Sequence, residues 1–321
     1  MRYRTSPRTG WQVAEVGYGM WGMGGWTGSN DEESLRSLHL AVELGCNFFD
    51  TAWAYGNGRS ERLLGETLPA HAGTRLYVAT KVPPQNQRWP ARSDDALDDV
   101  FPPSHVREYT EKSLRNLGVE TIDLQQLHVW SDAWAGDERW RRTAEDLKRE
   151  GKIRAFGISL NRWEPWNGVK AIRTGAIDSV QVVYNIFDQA PEDELFPACT
   201  VERVAVLARV PFDEGSLTGT LTRESTWPQG DWRNLYFTRE NLAETLARVE
   251  RLEQLVPSSM DLPHIALKFI LRHPAVTTTI PGMRRPRHVE RNLAASDAEV
   301  LGDDLYRRLR ALRWDRTAVI P

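Results

Sequence analysis

Eight short apolar runs alternate with amphipathic stretches from one end of the chain to the other, and this alternation restricts the fold more than any other feature. The strand-like runs are residues 13–16, 47–50, 75–80, 122–128, 155–158, 179–183, 204–209 and 277–280. Helical patterning covers 32–44, 60–68, 104–117, 137–149, 163–173, 239–255, 263–272, 286–295 and 303–313. Strands that are nearly solid apolar runs belong to a parallel sheet covered on its outside. Eight of them, alternating with helices, favour closure into a barrel over an open doubly wound sheet. The boundaries agree. Asn30 and Asp31 precede Glu32 and Glu33, a helix start with acids in its first turn, and Gly45, Gly118, Gly151 and Gly175 follow helical runs.

No Pro/Gly/Ser-rich linker and no shift in composition divides the 321 residues, so one domain over 1–321 is expected. A net charge of −3 with no basic stripe argues against a nucleic-acid partner. No apolar run reaches the ~20 residues of a membrane span. The opening MRYRTSPRTG lacks the apolar stretch of a secretory signal, so a cytoplasmic chain is expected. Cys46 and Cys199 read as buried free thiols. The seven histidines are scattered, which speaks against a metal-dependent hydrolase, and no metal site is expected.

Two stretches break the alternation. Residues 82–103 are rich in proline, and residues 212–237 in glycine and aromatics. Connections this long usually have a task, and both follow strands, so both belong on the C-terminal rim of the barrel. Gly17-Tyr18-Gly19-Met20-Trp21-Gly22 matches the spacing of a dinucleotide fingerprint. That fingerprint needs a helix opening within it, and no helical pattern begins before Asp31. A glycine-rich loop that lets a flat ligand approach the backbone is the better reading.

Four ionisable residues stand at or just past strand ends: Asp50, Tyr55, Lys81 and His128. In a parallel barrel those ends converge on one mouth. The types also form a chemical set. A phenol with an ordinary pKa of about 10 is a poor proton donor near neutrality, and a neighbouring ammonium stabilises the phenolate. A carboxylate holds that ammonium, and a neutral imidazole orients a carbonyl oxygen. This is a proton-transfer site for carbonyl reduction that lacks an electron source, so a cofactor must bring the hydride.

The run NFFDTAWAYGNGRSERLLGETL (47–68) resembles the aldo-keto reductase signature, with Asp50 and Tyr55 in the family's positions. SLRNLGVETIDLQQLH, ending in His128, and Lys81 in VATKV complete what resembles the family tetrad. The opening segment through Gly25 resembles its N-terminal hairpin and first barrel strand, and GKIRAFGIS, VQVVYN, PFDEGSLTG and TTIPGMRRP follow in family order. The resemblance implies an α/β fold, a (β/α)8 TIM barrel with an N-terminal β-hairpin and long βα loops on the C-terminal face. It implies reduction of an aldehyde or ketone by hydride from nicotinamide C4, with Tyr55 as proton donor, Lys81 lowering its pKa, Asp50 anchoring Lys81 and His128 orienting the carbonyl. It assigns Ser159, Asn161 and Gln181 to the nicotinamide carboxamide, and Ser216 and Leu217 to the pyrophosphate. Gly282, Arg284, Arg285, His288 and Asn292 fall in the adenosine-phosphate segment. Adjacent guanidiniums suit a 2′-phosphate, which favours NADPH/NADP+.

The chain departs from the family in three places. Leu160 separates the serine and asparagine that are commonly adjacent, Arg209 stands where many members stack an aromatic on the nicotinamide, and Arg291 replaces an acid. Among 13 tryptophans, Trp21, Trp53, Trp89 and Trp130 follow different strands and are the pocket candidates. Trp134, Trp140, Trp163, Trp166 and Trp314 are read as packing residues. The expected partner is a small carbonyl compound. A slow-turnover NADPH-binding regulatory or sensor subunit and a dedicated keto-sugar or secondary-metabolite ketoreductase remain as alternatives.

Overall fold

A pleated strand turns alternate side chains to opposite faces, so each buried strand here must satisfy two different surroundings at once. The computed structural model, which describes residues 1–26, 28–257, 260–297 and 300–316, shows how it does so. A two-stranded antiparallel hairpin, β1 (Tyr3–Thr5) and β2 (Gln12–Ala14), precedes the main sheet. Eight parallel strands follow: β3 (Tyr18–Gly19), β4 (Phe48–Asp50), β5 (Tyr77–Val82), β6 (Ile122–Leu127), β7 (Ile153–Ser159), β8 (Ser179–Val183), β9 (Ala205–Arg209) and β10 (Val276–Thr279). Neighbours in sequence are neighbours in the sheet throughout. Parallel bridges Val16–Thr279 and Gly19–Gly282 join the first edge to the last, which closes the (β/α)8 barrel.

Inside the barrel, Phe48, Tyr77, Ala79, Leu124, Ala155, Ala205, Leu207 and Ile280 form one apolar cluster with Val13 and Trp11 of the hairpin. Trp11 stacks on Tyr77 with ring centroids 5.0 Å apart, so the hairpin seals this end. The opposite parity, including Phe49, Val78, Val82, Phe156, Ile158, Val180 and Val206, packs outward in the larger core with the helices. Those helices end where local chemistry stops them. Asn30 accepts from Glu33 N at 2.8 Å to start Asp31–Glu43, and Gly118, at φ 64°, ends Pro103–Leu117 in the left-handed region.

Three expectations are corrected. The run 13–16 supplies the hairpin strand β2 and the seam bridge of Val16, and the first barrel strand is the two-residue β3. Apolarity alone did not separate a plug residue from a stave residue, because both are buried. The helix expected over 163–173 is confined to Val169–Arg173, and Leu195–Glu202 is a helix that the patterning had not singled out. Both long stretches do follow strands, β5 and β9, and each contains a short helix, Leu97–Val100 and Arg233–Tyr236. Among the described residues no helix is long and apolar enough to cross a membrane.

Candidate active site

Following the inward parity of each strand upward from the apolar plug leads to Asp50 on β4, Lys81 on β5, Gln126 on β6, Ser159 on β7, Gln181 on β8 and Arg209 on β9. His128 lies one inward step beyond Gln126. The same alternation that fills the bottom with carbon thus lines the mouth with polar groups. Lys81 is fully buried, and its Nζ donates to Asp50 Oδ1 at 2.6 Å, to the Thr51 carbonyl at 2.7 Å and to Tyr55 OH at 3.4 Å. The second Asp50 oxygen accepts from Gln181 Nε2 at 2.8 Å and Gln126 Nε2 at 3.4 Å. A buried carboxylate with partners on both oxygens can hold a buried ammonium.

Burial tends to strip the Lys81 proton, but Asp50 and then Tyr55 outweigh it and leave the pKa above the ordinary lysine value. The Tyr55 phenol is pushed up by burial, and Lys81 pulls against that shift. His128 meets Tyr55 edge to face, with centroids 5.6 Å apart. Burial, with Lys81 and Arg209 adding to it, drives its pKa well below the ordinary value, so the imidazole is neutral. Its Nδ1 is buried without a hydrogen-bond partner. The four expected residues therefore converge, with the proton-bearing phenol between an ammonium and a neutral ring.

The mouth also leaves polar atoms open. Asn161 Oδ1 and Arg209 Nε are buried without partners, although Asn161 Nδ2 bonds the Ala91 carbonyl and Glu164. Ser159 is buried nearby. Gln181 spends its amide nitrogen on Asp50, so its first task here is to hold the carboxylate. Ser216 and Leu217 are buried in the turn Asp213–Thr218, where Ser216 Oγ donates to Asp213 Oδ2 at 2.7 Å. Across the barrel, Gly282 lies on the seam, Arg284 reaches the Gly22 carbonyl at 3.5 Å, and Arg285 is 3.7 Å from Glu33. Both guanidiniums are half-buried, as is His288, and Asn292 is buried.

The tryptophans divide. Trp89, 47% exposed, stands edge to face with His128 at 4.6 Å and borders the mouth. Trp21, 41% exposed, stacks on Trp26 at 4.6 Å, and Trp53 meets Tyr109 at 4.7 Å. Trp130 is a correction: it is fully buried against Trp134 and Trp140 and is a core residue. Trp134 and Trp140 are buried as expected, while Trp166 is 56% exposed and does not pack as expected.

Gly24, Arg162 and Arg316, which nothing in the sequence singles out, also build the site, and the two arginines meet the acids Asp213 and Glu214 that follow β9. A Cβ at Gly24 would lie 2.9 Å from the Tyr55 backbone, so the loop after β3 can press on the phenol's own loop only through a glycine. Arg162, beyond β7, pairs with Glu214 beyond β9. Arg316, nearly fully buried, binds Asp188 at 2.5 Å, Asp213 at 2.9 Å and the Tyr236 hydroxyl. Burial works against the charge on Asp213, and Arg316 still holds its carboxyl below the usual range. No spacing rule links these residues: Arg162 and Glu214 lie 52 positions apart, and Arg316 lies 80 to 128 positions from its partners.

The aldo/keto reductase family model matches residues 15–313. The chain is 28% identical to the aldo-keto reductase YhdN of Bacillus subtilis, over 90% of this chain and 87% of that protein. It is 29% identical to the NADH-specific methylglyoxal reductase of Escherichia coli, over 88% and 90% of the two chains. Among solved structures it is similar to a glycerol dehydrogenase from Gluconobacter oxydans, with a TM-score of 0.79, 28% identity and coverage of 97% and 94%.

Proposed function

Because the chain belongs to the aldo/keto reductase family, we propose that it is an NADPH-dependent reductase that turns an aldehyde or ketone into an alcohol. One observation carries this reading: Lys81 Nζ bonds Asp50 and reaches Tyr55 OH at 3.4 Å, beside a His128 kept neutral by its surroundings. A dihydronicotinamide, when bound, supplies the hydride. Tyr55 then delivers a proton to the carbonyl oxygen, and Lys81 stabilises the phenolate that remains. Asp50, braced by Gln181 and Gln126, keeps the ammonium from turning away. His128 donates a hydrogen bond to the carbonyl oxygen as negative charge develops on it.

The open groups fit such a cofactor. Asn161 Oδ1, an orphaned buried acceptor beside Ser159, suits a carboxamide NH2. Ser216 and Leu217 would meet the pyrophosphate, and Arg284 and Arg285, with His288 and Asn292, the adenosine phosphate. Paired guanidiniums favour the 2′-phosphate of NADPH. The name of the Escherichia coli relative makes NADH the competing reading. The test is cofactor oxidation, with NADPH and NADH in parallel, against a panel of aldehydes, ketones and keto-sugars. Turnover with NADPH supports the proposal. Tight NADPH binding with no turnover on any carbonyl would replace it with a cofactor-sensing role.

A further inference from the structure

Arg209 brings a positive charge to the mouth and no counter-charge of its own. It ends β9 on the inward side, paired in register with Val183. Its Nη2 donates to the Leu160 carbonyl at 3.0 Å, and its Nε is buried without a partner. Among the described residues it makes no ion pair, and the acid across from it, Glu214, is held by Arg162. Burial and the Arg162 charge push its pKa down to about 10, which still leaves it charged at neutral pH.

Two sets of groups confine a nicotinamide ring. One end must reach a carbonyl held by Tyr55 and His128, and the carboxamide end belongs with Ser159 and Asn161. Leu160, whose carbonyl Arg209 holds, lies between Ser159 and Asn161 in the chain. The Arg209 charge also acts on both Tyr55 and His128. The guanidinium therefore spans the interval between the carboxamide end and the reacting end.

We propose that Arg209 lies against the nicotinamide and makes the site distinguish its two charge states, holding NADPH, whose ring is uncharged, more tightly than NADP+, whose ring is cationic. The inference rests on the cofactor reading given above. Reduced nicotinamide carries no ring charge and its oxidised form carries one, so a fixed cation nearby repels only the oxidised form. Like charges about 5 Å apart, at an effective dielectric of about 20, change a binding ratio by roughly 300-fold, and solvent at a half-open mouth lowers that to about 10-fold. An aromatic residue at this position would accept either form. The consequence is prompt loss of the oxidised cofactor after each reduction and an enzyme-bound equilibrium shifted toward the reduced one.

The experiment titrates NADPH and NADP+ by calorimetry into the wild type, Arg209→Lys and Arg209→Gln. The wild type binds NADPH more tightly, the lysine variant keeps that ratio, and the glutamine variant lowers it about 10-fold by binding NADP+ more tightly. Equal changes in both affinities would reduce Arg209 to an ordinary contact and overturn the inference. Failure of the wild type to bind either nucleotide overturns the cofactor reading itself, whereas equal binding of both overturns only the role of Arg209.

Discussion

Gln181 donates to Asp50 Oδ2 at 2.8 Å, on the carboxylate oxygen away from the one that holds Lys81. The brace makes Asp50 a fixed point, and its removal leaves an ammonium buried without a counter-charge. Asp50→Asn is expected to lower unfolding free energy by about 3–5 kcal/mol at neutral pH, read by denaturant melts. The sign with pH follows from linkage. In the wild type the folded Lys81 pKa is raised, so its contribution is full below the unfolded value and fades only as pH climbs through the folded one. In the variant burial dominates, the unfolded chain binds the proton better, and stability rises with pH. The gap between the two proteins should narrow from pH 7 toward about 10. A gap independent of pH would mean that Asp50 does not carry the charge of Lys81.

Tyr55→Phe removes one hydroxyl and leaves the ring that packs beside His128. Turnover should fall by about 10²–10⁴ or more, with NADPH affinity within a few-fold of the wild type. Retained turnover in a steady-state assay would eliminate the phenol as the proton donor.

The pH profile separates Lys81 from His128. Burial raises the Tyr55 pKa and the ammonium opposes it, so Lys81→Met should move the alkaline limb of kcat/KM for carbonyl reduction upward or abolish the rate. His128 is held neutral far below its ordinary range, so the wild type should show no acid limb near pH 6.5. An acid limb near that value which disappears in His128→Gln would show that the imidazole titrates after all.

How much of this could be read from the chain depends on the range over which each signal acts. The tetrad was legible because strand ends gather at one rim, a rule that needs only the position of each strand. The inward parity that aligns Asp50, Lys81 and Gln181 was implicit in the period of two. Trp130 was misplaced because a strand-end loop can turn a side chain toward either the mouth or the core, and only its packing on Trp134 and Trp140 decides. Arg316 was invisible for a different reason: its partners Asp188 and Asp213 lie on other loops, and no local pattern marks a contact of that sequence separation.

The two tryptophans provide a direct contrast. Trp130→Ala should cost about 3–5 kcal/mol of stability, because it empties a filled space. Trp89→Ala should change stability little and raise KM for bulky carbonyls several-fold, since its ring is half-exposed beside His128. Matched thermal melts and steady-state kinetics on the two variants would check both. Equal losses of stability would remove Trp89 from the mouth.

Replacing both Arg284 and Arg285 with alanine should weaken NADPH at least about 10-fold and NADH much less, by loss of charge-assisted contacts to the 2′-phosphate. Parallel fluorescence titrations decide it. An equal drop for both nucleotides would place the phosphate elsewhere.

The glycines that imitate a nucleotide fingerprint serve the closure of the barrel. A methyl group at Gly19 would lie 2.4 Å from the Ile280 carbonyl oxygen, and Gly17 faces Phe48 and Thr278 at 3.0 Å. The bridge Gly19–Gly282 fastens the start of the chain to the segment that leads directly into Arg284 and Arg285. A side chain introduced there would act as a wedge between the first and last staves. Gly19 also pairs in register with Asp50, so the damage would reach the segment before Arg284 and the anchor of Lys81 together, and such a variant would register in nucleotide affinity and in turnover alike.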